Sequence, residues 1–156
     1  MAFQDKKFSE RVSKKFSVAQ KVTEKYLRDN NIPFVKYGFD DHGMTYEEWM
    51  KVPAMIRNTP DLIAVPGEFT FLEVKGCHGP VKIKWCDYLE YKKWEYLNKF
   101  SFSIYSTTEK KLHMVTMSQL EEAMIGATTG KYPDNKKDYF AIPLKKIQKY
   151  MVPIYV

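Results

Sequence analysis

Cysteine is scarce in this chain, with Cys77 and Cys86 the only two in 156 residues. There is no CxxC pair and nothing at the N-terminus that reads as a secretion signal, so both are expected as free thiols rather than a disulfide. Cys77, His78 and Cys86 lack a fourth ligand, which sets a zinc site aside. Glycine is sparse too, at seven residues, and no Ser/Gly linker, repeat or low-complexity run divides the sequence. One domain spanning residues 1–156 is therefore expected. No stretch of eighteen apolar residues occurs, and Met1–Lys7 contains no apolar h-region, so the reading is a soluble cytoplasmic protein without a membrane partner. His42 and His113 have no serine or cysteine beside them to activate, and they read as ordinary surface or core histidines. Acidic residues are outnumbered, 19 against 25 basic, for a net charge of +6. That balance favours a polyanionic partner.

The 44% hydrophobic content is ample for a core, and its periodicity outlines the elements. Phe8, Val12, Phe16, Ala19, Tyr26 and Leu27 recur at helical spacing and predict an amphipathic helix ending near Asn30-Asn31, with Lys14, Lys21, Lys25 and Arg28 on its solvent face. Pro33 to Phe39 reads as a strand. Asp61–Val65 and Phe69–Lys75 are β-prone segments around a Pro66-Gly67-Glu68 turn. Trp85, Leu89, Tyr96 and Phe100 predict the inward stripe of a second helix, with Lys93 on that stripe and Lys92 beside it. Phe102–Ser106 and Lys111–Met117 read as strands, Ser118 as the N-cap of a helix through Met124, and Leu144–Tyr150 as a short last helix. The connection from Asp40 to Asn58 is long, with a helical turn expected at Tyr46–Met50.

The hairpin at Asp61–Lys75 is where chemistry gathers. If its three-residue turn closes with Val65 opposite Phe69, Ile63 faces Phe71 and Asp61 faces Glu73. Opposed residues share a sheet face with Cβ atoms roughly 4.5–5.5 Å apart. Two carboxylates so placed suit a hard cation such as magnesium between them. Lys75, two residues beyond Glu73, falls on the same face.

Pro60-Asp61, eleven intervening residues and Glu73-Val74-Lys75 resemble the signature of the PD-(D/E)xK nuclease superfamily, which includes restriction endonucleases and Holliday-junction resolvases. The resemblance covers roughly residues 8–116 and implies an α/β fold with a mixed sheet: a restriction-endonuclease-like core of helix, three antiparallel strands, helix and strand. Residues 117–156 would be a C-terminal extension packed on that core. It also implies a magnesium-dependent endonuclease, with manganese able to substitute, that hydrolyses DNA to a 5′-phosphate and a 3′-hydroxyl. Asp61, Glu73 and the Val74 carbonyl would hold the metal, and Lys75 would orient the attacking water. Many members carry a glutamate on the first helix; counting back from Leu27, this chain has Gln20 there, which adds an amide and no charge.

DNA contacts are expected from Lys82 and Lys84, which alternate with Val81 and Ile83 just after the signature, and from Lys92 and Lys93 on the second helix, with Lys93 projecting toward the carboxylates. No reader module is recognisable, so specificity for duplex or branched DNA would come from the 40–58 loop and from a homodimer. Tyr88, Tyr91 and Trp94, placed off the core side of the second helix, would supply a dimer face or else stack on bases, with the apolar interface the favoured use. Lys- and Asn-rich usage fits an AT-rich source such as a phage or mobile element. Two other readings accommodate the same residues: an inactive nucleic-acid-binding protein on this fold, and a small protein-binding regulator in which Asp61 and Glu73 are merely strand ends.

Overall fold

The computed structural model describes residues 8–39 and 43–154, with side chains from residue 18 onward. The expectations placed on Met1–Lys7, on Asp40 and His42, and on the side chains of Phe8, Val12, Lys14 and Phe16 lie outside the described residues.

The chain opens with a long helix, α1 (Phe8–Asp29). Among the described side chains Ala19, Thr23, Glu24 and Leu27 are its buried positions, and Lys21, Lys25 and Arg28 face solvent. It stops where Asn31 takes a left-handed φ of 54°. The Ile32 N–H then donates to Leu27 O at 2.8 Å and the Asn31 N–H to Arg28 O at 3.0 Å, which satisfies carbonyls that the helix end leaves free.

Next come β1 (Phe34–Lys36), α2 (Tyr46–Lys51), α3 (Ala54–Arg57), β2 (Leu62–Ala64), β3 (Thr70–Cys77), β4 (Val81–Lys84), α4 (Trp85–Leu97), β5 (Phe100–Ser106), β6 (Lys111–Thr116) and α5 (Met117–Met124). The helical turn expected near Tyr46 is α2, held by a capping box between Thr45 and Glu48. The cap of α5 is Thr116, not Ser118: its hydroxyl accepts from Gln119 N–H while the Gln119 side chain accepts from Thr116 N–H. After β7 (Thr128–Lys131) and β8 (Asp138–Ile142), Leu144–Tyr150 forms two 3-10 turns rather than one helix, and β9 (Met151–Val152) follows.

Six strands make the main sheet in the order β1-β2-β3-β5-β6-β9. β1, β2 and β3 are antiparallel, β5 lies parallel to β3 after the α4 crossover, and β6 and β9 return antiparallel. The order helix, three antiparallel strands, helix, strand is thus present, in a mixed α/β architecture. β4 leaves this sheet to pair with β8, and β8 with β7, as a second three-stranded sheet. Among the described residues no helix is long and apolar enough to cross a membrane.

The main sheet separates two apolar layers. Leu62, Ala64, Leu72 and Val74 point to α1, where Thr23 and Ser103 share a buried hydroxyl contact of 2.7 Å. Phe71, Phe102 and Ile104 point to α4 and pack on Tyr91 and Trp94. This corrects the predicted stripe of α4. Trp85, Leu89 and Tyr96 are exposed, Tyr96 at 91%, whereas Tyr91 and Trp94 are buried and Tyr88 is half-buried; Phe100 belongs to β5. Apolar and aromatic residues surround α4, so their count picks no face. Polar tips do: the Trp94 indole N–H donates to Met55 O at 3.0 Å, Tyr88 to Glu121 at 2.7 Å, and the Tyr91 hydroxyl has partners on β3.

Phe102 is fully buried with its ring 5.5 Å from Tyr91 and 5.2 Å from Phe100. Phe102→Ala should cost about 3–5 kcal/mol in urea unfolding. A loss under about 1 kcal/mol would mean that the α4 layer repacks freely.

Candidate active site

Register brings the two carboxylates together. Leu62 pairs with Leu72, Ile63 with Phe71 and Ala64 with Thr70, so Asp61, one residue before β2, arrives beside Glu73. The Asp61 carbonyl accepts the N–H groups of Tyr37 (2.9 Å) and Gly38 (3.1 Å). Its carboxylate Oδ2 accepts the Val74 N–H at 2.8 Å. A Cβ added at Gly38 would come into van der Waals contact with Asp61, 3.4 Å from its Cα and 3.6 Å from Oδ1.

Glu73 and Lys75 occupy the sheet face that looks toward α4. Lys75 Nζ lies 2.9 Å from Glu73 Oε1 and donates to the Tyr91 hydroxyl at 2.7 Å. The Tyr91 hydroxyl in turn donates to Glu73 Oε1 at 2.9 Å. The three side chains form a closed triangle, with the ammonium also 5.2 Å from the Tyr91 ring centre. Tyr91, expected on an outer face, is therefore part of the site. Asp87, one turn earlier on α4, is close enough to act on both Lys75 and Tyr91. Neither residue stands out in the linear motif. The available signal was the i, i+4 and i+7 spacing of Asp87, Tyr91 and Trp94, a helix face that alternates polar groups with aromatic bulk.

Burial, then the neighbouring Glu73 charge, holds the Asp61 carboxyl well above the usual carboxylate range, against the opposing pull of the Val74 N–H and Lys75. A carboxyl so placed favours its protonated form. Lys75 shows the opposite balance: burial works against its charge, but Tyr91, Glu73 and Asp87 together raise it well above an ordinary lysine. It is a fixed ammonium and not a base near neutral pH. Burial, followed by the Glu73 charge, raises Tyr91 as well, so its phenol stays protonated.

The other expected residues fare differently. Gln20 donates to Glu24 on its own helix at 3.0 Å, and α1 covers the sheet face opposite to Glu73 and Lys75, so Gln20 is not brought to the site. Lys93 is exposed and paired with Glu90 at 2.9 Å; Lys92 is paired with Glu95 and, at 2.8 Å, with Glu121. The rotation of α4 that turns Tyr91 inward carries both lysines away from the carboxylates. Lys82 and Lys84 do lie on the outer face of β4, with Val81 and Ile83 buried behind them. Cys77 and Cys86 are free, and burial pushes the Cys77 thiol up to about 11. His113 is fully buried, its ring held below the ordinary histidine range by burial. Among the described residues no group of three or more acids, histidines or cysteines forms a metal cluster. The donor set is thus two adjacent carboxylates with a backbone carbonyl available at Val74. That set fits a hard ion that keeps most of its water, as magnesium does.

Layer order, strand order and the hairpin at the sheet's centre define a restriction-endonuclease-like fold. The Holliday junction resolvase of the archaeal hyperthermophile Archaeoglobus fulgidus is similar in structure, with a TM-score of 0.53 at 10% identity over 85% of this chain and 92% of that one. A fusselovirus nuclease aligns with a TM-score of 0.49 at 13% identity, over 90% of this chain and 86% of that one. No family model matches the sequence, and no curated protein matches it.

The raised Asp61 carboxyl has a measurable consequence. A carboxyl whose folded pKa is raised adds stability that is fully present below the unfolded value near 4 and is lost as pH rises through the folded value. The melting temperature of the protein in a metal-chelating buffer should therefore fall as pH is raised above about 4. Asp61→Asn, which can still accept from Val74 N–H and donate to Glu73, should flatten that slope. It should also melt about 2–4 °C higher at pH 8 for each kcal/mol of repulsion removed. An Asn variant that melts below wild type at pH 8 would contradict a raised Asp61 carboxyl.

Proposed function

We propose that this protein is a metal-dependent nuclease that hydrolyses DNA phosphodiester bonds at Asp61, Glu73 and Lys75. The observation that carries the reading is the triangle of Glu73, Lys75 and Tyr91 set beside the Asp61 carboxyl, on one sheet face in a restriction-endonuclease-like fold. Asp61, Glu73 and the Val74 carbonyl would hold magnesium, or manganese in its place, which supplies Lewis-acid polarisation of the scissile phosphate and a lowered pKa for water. Lys75, held charged by Glu73 and Asp87, orients the attacking water and offsets negative charge that grows on the phosphate in the transition state. Tyr91 keeps the flexible lysine in place. Its hydroxyl takes one ammonium proton as an acceptor and commits its own proton to Glu73, so Lys75 cannot swing toward solvent without breaking both bonds. By family resemblance the products carry a 5′-phosphate and a 3′-hydroxyl. Lys82 and Lys84 stand on the strand that follows Lys75 and would contact neighbouring phosphates. A second copy docked through the exposed Trp85, Leu89 and Tyr96 face of α4 would set two sites for two strands.

Cleavage of supercoiled plasmid, linear duplex, single-stranded DNA and a four-way junction, with and without magnesium, tests the assignment. Wild type should cut only with the metal. Asp61→Asn and Lys75→Ala should each lower the rate by at least about a thousandfold while the far-UV spectrum stays unchanged. Either variant cutting at the wild-type rate sinks the assignment.

Tyr91→Phe isolates the positioning role. Losing hydrogen bonds to two charged groups is worth about 1.5–3 kcal/mol, so the rate should drop about 10- to 100-fold. The fall should appear in kcat, with KM for DNA close to wild type. A change confined to KM would instead place Tyr91 in substrate binding.

A further inference from the structure

The second sheet carries a surface that the cleavage chemistry does not use. Lys84 pairs with Tyr139 and Lys82 with Ala141 across β4 and β8, and Tyr139 pairs with Gly130 across β8 and β7. Paired residues share a face, so Lys82, Lys84 and Tyr139 stand together on the outer side, away from the buried Val81, Ile83 and Ile142. Tyr132, just beyond β7, joins them with its ring centre 4.7 Å from that of Tyr139.

The packing of this face is specific. A Cβ placed on Gly130 would fall 2.6 Å from the Tyr139 hydroxyl and 2.7 Å from its Cζ, so the Tyr139 ring lies across the β7 backbone in a space that only glycine leaves open. Lys82 Nζ sits 4.8 Å from the Tyr139 ring centre and 5.9 Å from that of Tyr132, and Lys84 Nζ sits 5.3 Å from Tyr132. Both ammoniums therefore rest on π faces. The nearby Lys131 is paired with Asp138 at 2.8 Å, but among the described residues neither Lys82 nor Lys84 has a carboxylate within ion-pair distance. A cation held by a ring keeps its full charge for a phosphate. The face also adjoins the site, because Lys75 and Asp87 both lie close enough to act on the Tyr132 phenol.

We propose that Tyr132 and Tyr139, with Lys82 and Lys84, form a shelf that binds an unpaired nucleotide of the DNA substrate beside the scissile phosphate. A phosphate drawing the two ammoniums off the rings uncovers the π faces they occupied, and a base can then stack there. Bases inside a duplex already stack on their neighbours, so this exchange favours a single-stranded, flapped or branched segment over continuous duplex. The inference rests on the nuclease reading for the identity of the substrate and adds which form of DNA is preferred.

The test measures binding in chelating buffer, so that cleavage plays no part. Two probes carry 2-aminopurine: one in an unpaired flap, the other in a fully paired duplex of the same sequence. Wild type should bind the flap more tightly and quench its fluorescence. Tyr132→Leu should weaken flap binding about tenfold, within the range seen for loss of one stacked base, and abolish the quench. Duplex binding should change less than twofold, and Tyr132→Phe should restore both flap signals. Gly130→Ala, which keeps both tyrosines but displaces the Tyr139 ring, should weaken the flap complex in the same direction. Thermal melting of each variant confirms that the fold is retained. Equal losses on flap and duplex, or no loss on the flap, overturn the shelf while leaving magnesium-dependent cleavage by wild type standing. Wild type that binds neither probe and cuts no DNA overturns both proposals.

Discussion

Asp61 and Glu73 repel each other, and strand register forces them together all the same. Leu62 and Leu72, opposite one another and fully buried, set that register. Sliding β2 by one residue would turn Leu62 and Ala64 out of the α1 layer. Each large side chain so exposed would cost about 1.5–3 kcal/mol. The Asp61 carbonyl is also tied to Tyr37 and Gly38 at the end of β1, and its carboxylate to Val74 on β3. Hydrophobic burial on one face of the sheet thereby sustains electrostatic strain on the other. A proton on Asp61 relieves that strain, and a divalent cation would relieve it more completely. A site that is least comfortable when empty is well suited to taking up a metal.

Lys75 is the counterweight. Burial works against the charge on this lysine, yet Tyr91, Glu73 and Asp87 surround it with acceptors and negative charge. The helix that supplies Tyr91 and Asp87 is itself oriented by the site. Tyr91 lies on a bed of Phe100 and Phe102, at ring distances of 5.3 and 5.5 Å, but phenylalanine would fit that bed equally well. The hydroxyl finds its partners only with α4 turned as it is, which leaves Trp85, Leu89 and Tyr96 exposed. A buried polar tip without a partner costs about 1–3 kcal/mol, comparable to burying one more apolar side chain. On a helix whose aromatic residues are spread around its axis, that is enough to decide which of them turn inward.

Legibility in the sequence followed the range of the interactions. The hairpin was readable because its turn, its alternation and its motif lie within fifteen residues, and counting across Pro66-Gly67-Glu68 fixes which side chains oppose. The layer order was readable for the same reason, element by element. The inward face of α4 was not, because hydrophobicity alone cannot separate Trp85 and Leu89 from Tyr91 and Trp94; the deciding contacts lie on β3 and at Met55. Gln20 was placed by counting from Leu27, a step that fixes position along a helix but not which side of the sheet the helix covers. β8 and β9 were not legible because they pair with β4 and β6, strands far behind them in the chain, and β7 pairs only with β8.

That last miss bears on how such a protein divides its tasks. The acids, Lys75 and Tyr91 all come from residues 61–91 and are held by the main sheet and its crossover helix. The outer face of the second sheet is assembled from two distant parts of the chain: Lys82 and Lys84 from the strand leaving the site, Tyr132 and Tyr139 from the C-terminal third. β4 is the hinge between the two, since its inner residues Val81 and Ile83 are locked in the core while its outer lysines are free to serve a ligand. Substitutions on β7 or β8 can therefore reshape the surface beside the carboxylates without disturbing the register that holds them. Chemistry and substrate selection are coupled through one short strand, which allows the second to vary while the first stays fixed.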